Sequence, residues 1–253
     1  MSYTYSIKII KSGKQVEVYK YHKSVWRDYK ADRERILKRK PEQLNIFDQQ
    51  KFKKKRSAFS LRRTRREIRR LVNSNAQLNK FLTLTFAENI SDLKTTNYIF
   101  NKFVMRVVYQ FPDFEYLAVP EFQKRGAVHY HLLCNLPVVQ VSDLQEIWGQ
   151  GFIKINKIDN IDNVGAYVSK YLSKETDERN FGKKKFFRSQ SLKTPDEILG
   201  FKADKFEKDF LSILAPVYES VFESAWTGKV EYKSYFLQQP IPNGVLNFYL
   251  PFK

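Results

Sequence analysis

The chain has 253 residues, 42% of them hydrophobic, a single cysteine and a net charge of +18. That is enough for one large domain or a core domain with extensions. No apolar run is long enough for a membrane span, MSYTYSIKII lacks the pattern of a secretory leader, and a lone Cys134 excludes an internal disulfide framework.

A cytoplasmic protein with no membrane partner is therefore expected. YTYSIKII (3–10) and QVEVYKY (15–21) alternate on either side of KSGK and read as a β-hairpin. SVWRDYKADRERILKRK (24–40) reads as a helix ended by Pro41, and 41–50 as a connector. Residues 51–70, KFKKKRSAFSLRRTRREIRR, hold eleven Lys or Arg and one Glu, a local net of +10. Such a cluster attracts polyanions by releasing their counterions, so salt-sensitive nucleic-acid binding is expected. The cations singled out are Lys53, Lys54, Lys55, Arg56, Arg62, Arg63, Arg65, Arg66, Arg69 and Arg70. Apolar residues at 58, 61, 68 and 71 make 57–72 a basic amphipathic helix, broken by NSNAQLN (73–79).

From residue 80 helices and strands alternate. KFLTLTFAE (80–88) is a strand, followed by a long helix over 91–111 capped by Ser91 or Asp92. FEYLAVPEFQ (114–123) and AVHYHLLCNL (127–136) are strands joined by a KRG turn. A short helix with a glycine stop (141–151), a strand (152–158) and a second helix (163–175) follow. RNFGKKKFFRSQSLKTP (179–195) is a basic loop rich in aromatics. Residues 196–226 read as mostly helical and 229–237 as a strand. No repeat and no G-x-x-x-x-G-K-[ST] loop occurs, which argues against a nucleoside triphosphatase.

Successive side chains of a strand point to opposite faces, so His129 and His131 project together, with Tyr130 and Leu132 on the other side. Glu121 lies on the preceding strand. A turn centred at Gly126 sets it opposite His131; a turn centred one residue earlier sets it opposite His129. Two imidazoles and a carboxylate with open positions suit Mg²⁺ or Mn²⁺ acting as a Lewis acid. The plainer alternative is a pair of satisfied polar histidines and a surface ion pair between Glu121 and Lys124 or Arg125. Gln123 is a weaker ligand candidate.

In AYVSKYLSK (166–174), Tyr167 and Tyr171 stack on one helix face, and Lys170 and Lys174 each follow a tyrosine by three. Two tyrosines at that spacing are commonly core, but a core face would exclude the lysines. A tyrosine hydroxyl is a weak nucleophile that needs a polarised electrophile and nearby positive charge. Attack on a phosphodiester would leave a 5′-phosphotyrosyl bond that conserves energy for rejoining.

FLTLTF (81–86), EFQKRGAVHYHLL (121–133) and YVSKYLSK (167–174) resemble, in order, the three motifs of the HUH endonucleases, most closely the rolling-circle replication initiators of bacterial plasmids and phages. The resemblance covers about 80–195, and FFRSQSLKTP (186–195) is similar to the same group. It implies an α+β fold with a central antiparallel sheet flanked by helices, of HUH/ferredoxin-like or RRM-like type. It further implies metal ligation by His129, His131 and Glu121, and attack on origin DNA, single-stranded or hairpin, by Tyr167 or Tyr171. Relaxases carry a third histidine near the pair; here the remaining one is the distant His22, which we read as structural. No helicase segment is present, so a host helicase and polymerase are the implied partners.

The expected organisation is a basic DNA-binding extension (1–79), a catalytic domain (80–195) and a helical C-terminal extension (196–253). Thr83 and Thr85 share a strand face and read as sheet packing, with support of the site as the alternative. The hairpin turn offers Arg125 to a DNA phosphate, or else simply to solvent. Lys184, Lys185 and Arg188, interleaved with Phe181, Phe186 and Phe187, suggest a track for a single strand, or else a charged loop with its rings tucked inward. Cys134, on the core side of its strand, reads as inert. A mobilisation or transposition nuclease and a non-catalytic nucleic-acid-binding protein are the competing functions.

Overall fold

The computed structural model describes residues 4–26, 46–158, 184–224, 227–239, 241 and 243–250, with backbone alone over 46–57 and at 243. Among them, ten strands form two antiparallel five-stranded sheets, and the fold is α+β with helices flanking the sheets. The chain divides into two units, Met1–Phe52 with Thr194–Lys253, and Lys53–Lys193.

The first unit is built on the hairpin of β1 (Thr4–Ser12) and β2 (Gln15–Trp26), closed by Gly13 in the left-handed region at φ 58°. β8 (Asp196–Leu199) adds to β1, and β10 (Gly228–Phe236) to β2, with β9 (Tyr218–Ser224) on the outer edge. Ile7, Ile9, Val16 and Val18 pack against Ala203 and Phe206 of α4 (Phe201–Phe206), against Leu211 in the π-helical turn Glu207–Leu211, and against Leu246 of α5 (Asn243–Leu246). The N- and C-terminal segments, read from sequence as separate extensions, thus share one sheet.

Three sequence expectations change here. Ser24–Trp26 belong to β2, because Val25 and Trp26 pair with Tyr5 and Thr4; the rest of the expected helix over 24–40 lies outside the described residues. Residues 196–226 contain strands β8 and β9 as well as helix, so the C-terminal segment is not mainly helical. β9 is an edge strand with both faces largely exposed, so it lacks the apolar alternation that marks a half-buried strand. The connector expected over 41–50 gives way at Ile46 to the first turns of α1 (Ile46–Asn73).

The second unit centres on a sheet of order β6-β3-β5-β4-β7: β3 (Lys80–Thr85), β4 (Tyr116–Phe122), β5 (Val128–Cys134), β6 (Ile153–Lys157) and β7 (Phe187–Arg188). One face packs Leu82, Leu84, Tyr130 and Leu132 against Phe100, Phe103 and Val107 of α2 (Leu93–Gln110) and against Leu144 and Trp148 of α3 (Val141–Trp148). Asp92 is the N-cap of α2, accepting from Thr95 N at 2.8 Å and Thr95 Oγ1 at 2.7 Å. The opposite face packs Phe81, Leu117, Val119 and Leu133 against Ile68, Leu71 and Val72 of α1. Ala58, counted in the apolar stripe, is exposed, while Thr64 is buried.

Asn75, just past α1, is buried. Its Nδ2 donates to the Leu71 carbonyl at 2.7 Å and the Lys193 carbonyl at 2.8 Å, and its Oδ1 accepts from Lys193 N at 2.9 Å. This amide fastens the chain beyond β7 to the end of α1. At the other end of the sheet, Gly151 has φ 145°, and a Cβ there would meet Thr85 O at 2.6 Å and Ala87 N at 2.5 Å. Glycine is required at that close approach.

Candidate functional site

β5 sorts its side chains by parity. Tyr130 and Leu132 enter the apolar core, whereas His129 and His131 emerge on the face that α1 partly covers. Both histidines are nearly buried, at 9% and 7% exposure. The register pairs Glu121 of β4 with His129, the second of the two turn placements expected from sequence. On the other flank Thr85 stands opposite His129 and Thr83 opposite His131.

The carboxylate reaches diagonally. Glu121 Oε2 lies 2.7 Å from His131 Nε2. An ionised carboxylate only accepts, so Nε2 carries the proton. Thr83 Oγ1 is 3.2 Å from His131 Nδ1 and donates to it when the ring is neutral. The ring also stacks on Phe81, with centroids 5.7 Å apart and planes 15° from parallel. Thr83 therefore orients a site residue, a support role and not sheet packing alone.

His129 is held differently. Its Nε2 is buried with no hydrogen-bond partner among the described residues. Burial pushes its pKa down to about 4; the adjacent His131 and Arg125 act in the same direction, and Glu121 opposes them. The imidazole is thus neutral near pH 7, the form in which a histidine ligates a metal. Among the described residues no three His, Cys, Asp or Glu side chains already converge as a ligand set, because Glu121 is turned onto His131. The donors nonetheless fit a divalent cation: two imidazoles and a carboxylate share one face, and one buried ring nitrogen stands without a partner among the described residues.

The other predicted residues distribute as follows. Arg125 braces the β4–β5 turn, donating through Nη2 to the Phe86 carbonyl at 3.1 Å and through Nε to Gln123 Oε1 at 2.8 Å. Arg62, Arg63 and Arg66 are exposed on α1, while Arg65, Arg69 and Arg70 are half-buried. Lys53, Lys54, Lys55 and Arg56 lie in the helix, their side chains outside the description. Lys184 is exposed, and Lys185 and Arg188 are half-buried beside α1. Phe187 is in the core and Phe186 packs under α1, so these two rings are turned inward and do not form an open stacking track. Phe181, Tyr167, Lys170, Tyr171 and Lys174 lie outside the described residues. His22 faces Glu231 across β2 and β10 at 3.4 Å. Cys134 is fully buried, and burial pushes its thiol up to about 11, as an inert core cysteine requires.

Residues 79–176 match the family model for replication-associated proteins of the ORF2 and gene II protein type. That match spans β3 to β6, and with them Glu121, His129 and His131, and it is consistent with a rolling-circle replication initiator. Comparison with curated proteins and with solved structures returned no match. Among the described residues no helix is long and apolar enough to cross a membrane.

Two participants escape a reading of the sequence. Ser60 and Thr64 of α1 line a groove with Lys184, Lys185 and Arg188. Hydroxyls inside a run of arginines carry no signal of their own in sequence.

Proposed function

We propose that the chain is a metal-dependent replication initiator of the HUH type, which nicks one strand at a replication origin and later rejoins it. The observation that carries this reading is the shared face of Glu121, His129 and His131 within the segment matched to replication-associated proteins.

His129, His131 and Glu121 would hold Mg²⁺ or Mn²⁺, which when bound supplies Lewis acidity at a phosphate oxygen. Thr83 and Phe81 fix the His131 ring by a hydrogen bond and a stacking contact. Burial keeps His129 neutral and its lone pair available. Tyr167 or Tyr171 is the nucleophile. Its oxygen bonds to phosphorus as its proton leaves, the P–O3′ bond breaks, and the 3′ oxygen takes up a proton. The products are a 5′-phosphotyrosyl protein and a free 3′-OH, from which a host polymerase extends while a host helicase unwinds. Attack by a 3′-OH on the phosphotyrosyl bond reverses the step and rejoins the strand. Lys170 and Lys174 offset the negative charge that develops at the phosphate. The basic helix α1 holds the origin DNA beside the nick.

The test is labelled single-stranded origin DNA incubated with the protein and Mn²⁺. A denaturation-resistant protein–DNA band should form, vanish in EDTA, and vanish in the Tyr167→Phe, Tyr171→Phe double variant. Binding that survives EDTA with no covalent band would instead identify a non-catalytic nucleic-acid-binding protein.

A further inference from the structure

A groove of about 320 Å³ runs between α1 and the segment entering β7, lined by Ser60, Thr64, Lys184, Lys185, Phe186 and Arg188. No carboxylate lines it. Three cations therefore stand within five residues of chain, and their mutual repulsion is relieved by an anion. Lys185 Nζ donates to Ser60 Oγ at 2.9 Å, which sets the ammonium and the hydroxyl side by side in the wall. Arg188 Nη1 is shut off from solvent with no hydrogen-bond partner among the described residues. A buried charged donor in that state is costly until an acceptor reaches it. Burial also lowers the pKa of Lys185, as expected for a cation short of counter-charge.

The walls are held before any ligand arrives. Ser189 N donates to the Tyr116 carbonyl at 3.0 Å, and Ser189 Oγ accepts from Tyr116 N at 3.0 Å. Four residues on, Asn75 clamps Lys193. Thr64 donates its hydroxyl hydrogen to the Ser60 carbonyl at 2.9 Å and so shapes the wall without serving the ligand. Lys184 Nζ sits 4.8 Å from the centroid of the Phe187 ring, on its face.

We propose that this groove is a subsite for one backbone phosphate of single-stranded DNA, gripped by Lys184, Lys185 and Arg188 with the Ser60 hydroxyl. It rests on the proposed action on DNA and adds to it a fixed point on the strand. Arg188 pairs with Leu117, which shares its strand face with Glu121 four residues further along β4. At ~3.3 Å per residue that offset is ~13 Å, or roughly four nucleotides of a stacked strand at ~3.4 Å each. The gripped phosphate lies about that far from the one at the histidines.

The experiment measures binding of a fluorescent oligothymidylate to the full chain by anisotropy across a salt series. Lys185→Gln and Arg188→Gln should each weaken binding about tenfold at low salt and flatten the slope of log K against log[salt] by about 0.7, the value of one lost single-strand contact. Lys102→Gln, which removes the same charge from α2 on the other side of the sheet, should leave the slope unchanged. An abasic strand should suffer the same losses as the thymidylate, because a phosphate cradle does not read bases. If Lys185→Gln fails to fold, Ser60→Ala carries the test, with a few-fold weakening and an unchanged slope. Wild-type affinity and slope in the variants overturn the subsite and leave the nicking chemistry standing. Losses confined to strands with bases overturn it in favour of stacking. Flattened slopes in a protein that never forms the covalent band uphold the subsite and overturn the chemistry.

Discussion

The two faces of the β3–β6 sheet are built from the same strands yet do different work. One is apolar from end to end, with Tyr130 stacked on Phe100 at 4.4 Å and Trp148 against Phe86 at 5.0 Å. The other is divided: Phe81, Leu117 and Leu133 lie under α1, while His129, His131 and Glu121 occupy the remainder. A single strand serves both faces because its period is two. Rigidity is supplied from one side of β5 and chemistry from the other.

This contrast can be broken most severely from the apolar side. Phe100→Ala should cost about 3–5 kcal/mol by emptying the centre of the core, read as a lowered midpoint in urea unfolding, with metal-dependent cleavage lost only as the fold is lost. The polar side should fail the other way. Thr83→Val removes the hydrogen bond to His131 Nδ1 and should lower metal affinity about 10- to 100-fold, while unfolding midpoints stay close to wild type. A comparable loss of stability in Thr83→Val would erase the distinction between the faces.

Acid and base sharpen the comparison further, since burial favours the neutral form of both groups. The His129 pKa is lowered from 6.5 to about 4, so between those values the unfolded chain binds a proton that the folded one refuses. In metal-free protein the stability present above pH 6.5 is therefore lost as pH falls through 4, and His129→Gln should flatten that limb of a pH–melting curve. Cys134 is the mirror case, raised from 9.0 to about 11. Its stability is full below pH 9 and lost as pH rises through 11, and the thiol should react with a thiol reagent only once urea has unfolded the protein. The smallest effect is local: Asp92→Ala removes the cap of α2 and should cost about 1 kcal/mol, measured by thermal unfolding, without changing metal affinity.

Much of this sheet is legible in the sequence because its signals are local. Alternation in AVHYHLLCNL locates β5 and its two faces, and the KRG turn narrows the register of Glu121 to two placements. The choice between them needs the folded turn, which Arg125 braces through the Phe86 carbonyl. The support given by Thr83 is open to sequence only as an alternative, since its partner is 48 residues away. The first unit is least legible. Its pairings β1–β8 and β2–β10 join residues close to 200 positions apart, as in Lys8 with Leu199 and Tyr19 with Tyr232. Nothing local records such neighbours, so strands that are individually readable fall to separate extensions. The inward turn of Phe186 and Phe187 is likewise set by packing that a run of aromatics and lysines does not specify.

Asn75 has a further consequence. β7 is only two residues long, too short to keep its own alignment with β4. That task is delegated to an amide that imitates a peptide group, giving and taking hydrogen bonds with Lys193. Exchanging its nitrogen for oxygen, as in Asn75→Asp, would set a negative acceptor against two carbonyls. The outermost strand would then lose its fastening to the helix, although every residue of both remained in place.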